Sequence, residues 1–330
     1  MNRSWIIAGV GLAALALVPV VASPYVLHIA VQILIFGMIY TAWSFMGRFG
    51  LTSIGHGAFL GIGAYTTALL WNLYGVTPWI GIPAGMALSV LLALVIGYPC
   101  FHLKIVGHYF ALVTLALGQV IALLVIAARD VTGGSLGMTP TQVGESIFAF
   151  QFPNRTHFYF IALALWLLVL GVWYWVGYGM RRAALDAIGE DETAAAAAGI
   201  DVMREKLRVT VISAAVTSFG GSLLTQYLMY LNPETVSGVG VSLQIVFAAI
   251  AGGMYSALGP TVGALLTLAL TEGLRILFGT QFIGAANTIY GILLILFIVF
   301  MPRGILGVIE DISFSRGTRQ KVGPAQSAGG

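Results

Sequence analysis

Charge is what this chain has least of. Only 8% of its 330 residues are Asp, Glu, Lys or Arg, against roughly 25% in an ordinary soluble domain. With 59% apolar residues and a mean hydropathy of +0.96, an ordinary soluble domain is excluded. The composition is that of an all-α polytopic membrane protein. Cysteine is nearly absent: Cys100 stands alone, so no intrachain disulfide framework exists, and the redox compartment cannot be read. Lysine occurs at Lys104, Lys206 and Lys321, never after a glycine; the phosphate-cradling G-x-x-x-x-G-K-[ST] loop is missing, so an ATP site of that type lies outside this chain. The net charge of +3 comes from scattered basic residues and points to no nucleic acid. No His, Cys or carboxylate grouping has metal-ligand spacing, and no catalytic set is present.

What is there is a series of apolar runs. The first, residues 5–22, follows Arg3 and is read as a retained span rather than a cleaved signal peptide. The second is 27–46. The glycine-rich stretch Gly47–Trp71 opens with a front end, Gly47 to Gly55, too polar for a lipid-facing helix; it reads as a loop or re-entrant segment shielded by protein. Spans are then expected at 55–75, 79–99, 108–127, 158–177, 208–230, 241–253, 258–276 and 285–301, making about ten. Residues 1–302 form a single transmembrane domain, and 303–330 a partly disordered cytoplasmic tail ending in GPAQSAGG.

The few charges have a pattern. With the N-terminus in the cytoplasm, twelve Lys and Arg fall inside and only Arg129, Arg155 and Arg275 outside. That asymmetry follows the positive-inside rule and places both termini in the cytoplasm. Ion-coupled transport usually needs an ionisable residue deep in a span, and no Asp, Glu, Lys or Arg is expected near the middle of one.

Eleven of the charged residues crowd into Arg181–Arg208, RRAALDAIGEDETAAAAAGIDVMREKLR. Lipid refuses such a segment, because each central charge costs about 2.5–3.5 kcal/mol on insertion scales. The loop 180–206 is therefore cytoplasmic. Met180 to Ala198 has helix-forming composition, Gly199 supplies a stop and Asp201 a cap for the next helix. The acidic triplet Glu190, Asp191 and Glu192 and the smooth run from Ala194 suit a helix that seats in a groove of another protein; a solvated interspan loop is the plainer alternative.

Other residues carry two readings each. His56 is a candidate for the translocation path or a hydrogen-bonded structural histidine. Gly57 and Gly61, four apart, allow a neighbouring backbone close and join His56 as path candidates. Glu272 and Arg275, three apart near an outer span end, pair with each other or form an outer mouth. Thr132–Ser135 is an outer contact for a partner or merely a turn.

The charged segment resembles the cytoplasmic coupling loop of ABC-importer permeases, in the version found in high-affinity branched-chain amino acid permeases of the LivM type. Glu192, Ala194, Ala195 and Gly199, with Ile200, Lys206 and Leu207, carry that likeness. SIGHGAFLGIGAY at Ser53–Tyr65, YFALVTLALGQV at Tyr109–Val120, TGGSLGM at Thr132–Met138 and GGMYSALGPTVGA at Gly252–Ala264 are similar too. Asp186 and Gly189 stand where the family often has arginine. The resemblance implies a permease subunit in the inner membrane, paired with a homologous second permease and served by two cytoplasmic ATPase subunits that hold ATP and Mg. An extracytoplasmic solute-binding protein delivers the solute. Glu190, Asp191, Glu192, Ala194, Ala195 and Gly199 become the coupling residues. The family default is leucine, isoleucine or valine; related permeases carry urea, amides or other amino acids.

Overall fold

Each of the ten apolar runs is helical in the computed structural model, which describes residues 3–152, 154–278, 283–300 and 304–307. The runs become α1 (Arg3–Val21), α2 (Pro24–Gly47), α3 (His56–Tyr74), α4 (Pro78–His102) and α5 (His108–Ala127). A short α6 (Arg129–Thr132) and a 3-10 turn follow, then α7 (Arg155–Val176), α8 (Met180–Glu190), α9 (Glu192–Ala197) and α10 (Val202–Leu228). The chain continues through α11 (Pro233–Val236), α12 (Val239–Gly252), α13 (Gly259–Phe278) and α14 (Ile283–Phe300). Among the described residues there is no strand, only isolated bridges Met138–Leu231 and Ser146–Gln151. Of the expected tail 303–330, the described residues include only 304–307, which are helical.

Among the described residues, seven helices are long and apolar enough to cross a membrane: α2, α4, α5, α7, α10, the stretch Pro233–Gly252 and α13. That is fewer than the expected ten. In α1 the apolar stretch so identified is only Val10–Val21, and α3 opens on histidine and carries glycines through its first two turns.

Local chemistry sets the helix ends. Ser23 caps α2, its hydroxyl accepting from the Val26 amide at 3.4 Å, and Pro24 occupies the first turn, where no amide is needed. Gly75, in the left-handed region at φ 63°, ends α3. The front end of the glycine stretch is indeed a loop shielded by protein: Phe49, Leu51 and Ser53 are buried, Trp43 Nε1 donates to Ser53 O at 2.8 Å, and the Ile54 amide donates to Thr114 Oγ1 at 3.0 Å.

Helix α2 is the hub. Every residue from Gly37 to Gly47 is buried, and it packs against α7, α10, α12 and α13. Helices α3 and α4 pack on each other and on α10, which lies between them and α2. At the crossing of α3 and α10, two glycines let the backbones touch: a Cβ on Gly63 would stand 2.0 Å from Ser218 O, and one on Gly221 would stand 2.1 Å from Leu60 O. Close packing by small residues holds helices together where lipid offers no hydrophobic drive. Leu88, Leu91 and Val95 on α4 and Leu112, Leu123 and Leu124 on α5 stay exposed, as an outer wall facing acyl chains would.

The bundle has two distinct ends. One gathers Arg48, Lys104, α8, α9 and Lys206. The other gathers Arg155, which donates to Pro24 O at 2.9 Å, the Tyr25–Glu272 pair and the 138–151 connection.

Candidate functional site

The charged segment folds as an elbow of two helices, not as the single helix expected from Met180 to Ala198. Asp191 breaks it. Its backbone is extended at φ −153° and ψ 110°, and its carboxylate caps α9, accepting from the Thr193 amide at 2.7 Å and the Ala194 amide at 3.1 Å. Those two bonds, the Ala194 one foremost, hold the Asp191 carboxyl below its ordinary pKa. Competition from a side-chain cap outweighed the helix-forming composition on either side. Gly199 stops α9 in the left-handed region at φ 88°, and the Asp201 carboxylate accepts from the Arg204 amide at 3.1 Å to start α10. The following helix begins at Val202, so the last turns of the charged segment and the next span are one rod.

The elbow is amphipathic. Leu185 and Ile188 of α8 and Ala195 of α9 face inward. Outward stand Arg181, Arg182, Asp186, Glu190, Ala194, Ala196 and Ala197. Arg182 and Asp186 pair at 3.4 Å, and the Arg181 guanidinium lies 4.2 Å from the Trp175 ring centroid. Glu192 turns inward to the ammonium of Lys206, which is only 2% exposed and 5.6 Å from the Phe101 ring centroid. Two of the expected coupling residues, Glu192 and Ala195, therefore face into the elbow and anchor it. Lys206 was legible as scarce, but its partner fourteen residues away carried no local signal.

Beside the elbow lies a cavity of about 690 Å³, between the loop after α2, the α4–α5 connection and the elbow; Gly50, Lys104, Glu190, Thr193 and Met203 are in its wall. Arg48 buttresses that end of the bundle. Its guanidinium sits 4.2 Å from the Trp173 ring centroid and 4.7 Å from that of Phe49. Burial, then the nearby Arg182 charge, lowers its pKa to about 10, which leaves it cationic at neutral pH.

His56 is fully buried. Its Nδ1 meets Ser53 Oγ at 3.0 Å and its Nε2 meets Ser213 Oγ at 2.8 Å. Ser213 spends its proton on Ala42 O at 2.6 Å, so its oxygen accepts from Nε2, and the ring ties α3 to α10. Gly57 and Gly61 are close-approach points. An added Cβ would meet Ser242 Oγ at 2.6 Å and Ser237 Cβ at 2.5 Å respectively. Glu272 and Arg275 approach to 3.7 Å, and Glu272 also accepts from Tyr25 OH at 2.9 Å, tying α13 to the start of α2.

Residues 25–301 match the family described as branched-chain amino acid transport system / permease component. The high-affinity branched-chain amino acid transport system permease protein LivM of Escherichia coli K12 is 28% identical over 283 residues, 79% of this chain and 65% of that protein. A probable branched-chain amino acid transport permease protein LivH of Methanocaldococcus jannaschii is 24% identical over 260 residues, 76% of this chain and 82% of the relative. The L-arabinose transport system permease protein AraH of Escherichia coli K12 is 28% identical over 193 residues, 57% and 54% of the two chains. No solved structure matches. The chain spans just under two-thirds of the LivM sequence it matches. A family match across nearly all the helices, on a bundle able to span a membrane, places this chain in the branched-chain amino acid transport system permease family.

Proposed function

We propose that the chain is a transmembrane permease subunit of an ATP-binding cassette importer in the inner membrane, and that it forms half of a path for leucine, isoleucine and valine. The observation that carries this reading is the elbow: a polar, amphipathic helix pair outside the apolar bundle, joined to span α10 by a short turn at Gly199 and fastened to it by Glu192 and Lys206. A passive channel needs no ATPase dock and leaves such a part unexplained. A homologous second permease completes the path, and two ATPase subunits, which hold ATP and Mg, dock on the elbows. An extracytoplasmic binding protein delivers the solute.

Within the elbow, Glu190, Asp191, Ala194 and Gly199 meet or shape the ATPase contact, while Glu192 and Ala195 hold the elbow to the bundle. The path runs beside α3, where His56 meets α10 and Gly57 and Gly61 are packed shut against the α11–α12 stretch. Support comes from Thr217, Ser218 and Thr225 on α10, whose buried hydroxyls have no hydrogen-bond partner; a polar seam with spare bonds suits passage better than lipid. Ten spans and two cytoplasmic ends complete the arrangement, with 303–330 as a tail. The match to an L-arabinose permease supports a second reading, a permease of the same design for another small solute such as urea or an amide.

The test is reconstitution. The chain should copurify with an ATPase subunit, and ATP-dependent uptake of labelled leucine should require the binding protein. Uptake by this chain alone, with no nucleotide-hydrolysing companion, would refute the proposal. In intact cells, Thr193→Cys should react only with membrane-permeant reagents; labelling by an impermeant one would invert the topology.

A further inference from the structure

At the end of the bundle opposite the elbow, a cavity of about 430 Å³ opens between the first turns of α2 and α7, the connection around 142–152 and the last turn of α10. Pockets for small ligands begin at roughly 300 Å³. In its wall stands Gln226, 3% exposed, and neither its amide oxygen nor its nitrogen has a hydrogen-bond partner. Leaving a buried amide unpaired is costly, and native folds rarely do so without a reason.

Two further features give the cavity a chemical preference. Arg155 and Glu145, of opposite charge, both line it and both are exposed. Arg155 spends an Nη1 proton on Pro24 O at 2.9 Å; a guanidinium has five donors, which leaves others for a carboxylate. Phe152, Phe158 and Tyr227 supply an apolar wall, the rings of Phe158 and Tyr227 standing 4.9 Å apart by centroid.

We propose that this cavity is an entry site for a free α-amino acid with an apolar side chain. Arg155 takes the carboxylate, Glu145 the ammonium, the Gln226 amide bonds to both polar groups, and the aromatic wall takes the side chain. A solute with only one of the two charges leaves a rim residue unanswered. The assignment rests on the reading of the chain as an amino acid permease, with this end facing outward.

The experiment titrates the full-length chain, with whatever subunits copurify, in nanodiscs without binding protein. L-leucine is the probe, followed by calorimetry and by thermal shift. Saturable binding is expected. It should weaken at least tenfold in Gln226→Leu and in Glu145→Gln. Leucinamide, which lacks the carboxylate, and 4-methylpentanoate, which lacks the ammonium, should bind the native chain at least tenfold more weakly than leucine. Gln226→Leu removes an unpaired amide, so its unliganded melting temperature should hold or rise, and Glu145 is exposed on a connection; lost binding in both is then not lost folding. No leucine response in the native chain, or variants that bind like it, overturns the site. ATP-driven uptake is measured on the same preparations with binding protein restored. Uptake without direct leucine binding rejects the cavity and leaves the transport function standing; leucine binding without ATP-driven uptake does the reverse.

Discussion

Glu192→Gln strands the ammonium of Lys206, which is 2% exposed, beside a neutral amide. Breaking a buried ion pair by removing one partner costs about 3–5 kcal/mol, because the surviving charge stays desolvated. Glu192 keeps 34% of its side chain open to solvent, so screening already weakens the pair, and the lower end, about 3 kcal/mol, is the expected loss. This loss falls on the seat of α9 more than on the bundle, since α2, α3 and α10 pack independently of it. Three kcal/mol is about a hundredfold in an opening equilibrium. Amide exchange measured by mass spectrometry should therefore accelerate about a hundredfold in α9 and hardly at all in α2. Lys206→Met combined with Glu192→Gln removes the stranded charge, so exchange should recover most of the way. Uptake should fall in Glu192→Gln while the ATPase activity of the complex persists. Exchange within threefold of the native rate in Glu192→Gln, or a double variant no better than the single, would refute the anchoring argument.

Three more outcomes are expected. Gly199→Val forces a β-branched residue to φ 88°, at a cost of about 1–2 kcal/mol; uptake should drop while membrane insertion, checked by fractionation, stays normal. Gly63→Ala and Gly221→Ala each push a methyl to within about 2 Å of a carbonyl oxygen on the facing helix; each should destabilise the bundle by about 1–3 kcal/mol, read as a lower melting temperature in detergent. Asp191 has a lowered pKa in the folded elbow, so its contribution is fully present above the unfolded carboxyl value and is lost as pH falls through the folded one. Protection of the first α9 amides should hold from neutral pH down to the ordinary aspartate range and fail below it, whereas Asp191→Asn, which still caps, should remove that pH dependence.

The helices were legible because lipid reduces the problem to apolar length. Runs such as 108–127 and 158–177 have boundaries within a few residues of α5 and α7. The loop before α3 was legible for the converse reason, since its polar backbone required protein cover. The elbow's break at Asp191 was less legible: cap and helix former compete within one turn, and the acidic triplet around Asp191 masks which residue wins. Pairings across the fold left no trace in one sequence. Glu192 with Lys206, His56 with Ser213, and Arg155 with Pro24 are each set by how separate helices pack. The cavity opposite the elbow was missed for the same reason, since its wall comes from four elements and Gln226 alone looks like any polar residue near a span end.

One helix joins the two ends. Lys206 and Gln226 are twenty residues apart on α10, a distance of about 30 Å at 1.5 Å per residue. Between them α10 is gripped at Gly220 and Gly221: a Cβ on the first would stand 2.4 Å from Ile39 Cγ1 of α2, and one on the second 2.1 Å from Leu60 O of α3. Ile39 fills the gap over Gly220, and Ser222 Oγ donates to Gly63 O at 2.9 Å, so α10 is held fast to both neighbours at this point. The grip lies about 22 Å from Lys206 and about 8 Å from Gln226. A rod tilting about that point moves its cavity end roughly a third as far as its elbow end, and in the opposite sense. A 3 Å displacement of the elbow then shifts Gln226 by about 1 Å, enough to break a hydrogen bond made at about 2.9 Å. Were α10 to tilt about the glycine pair, the placement of that pair, and not only its presence, would turn a coarse movement of the polar elbow into a fine one at the cavity wall.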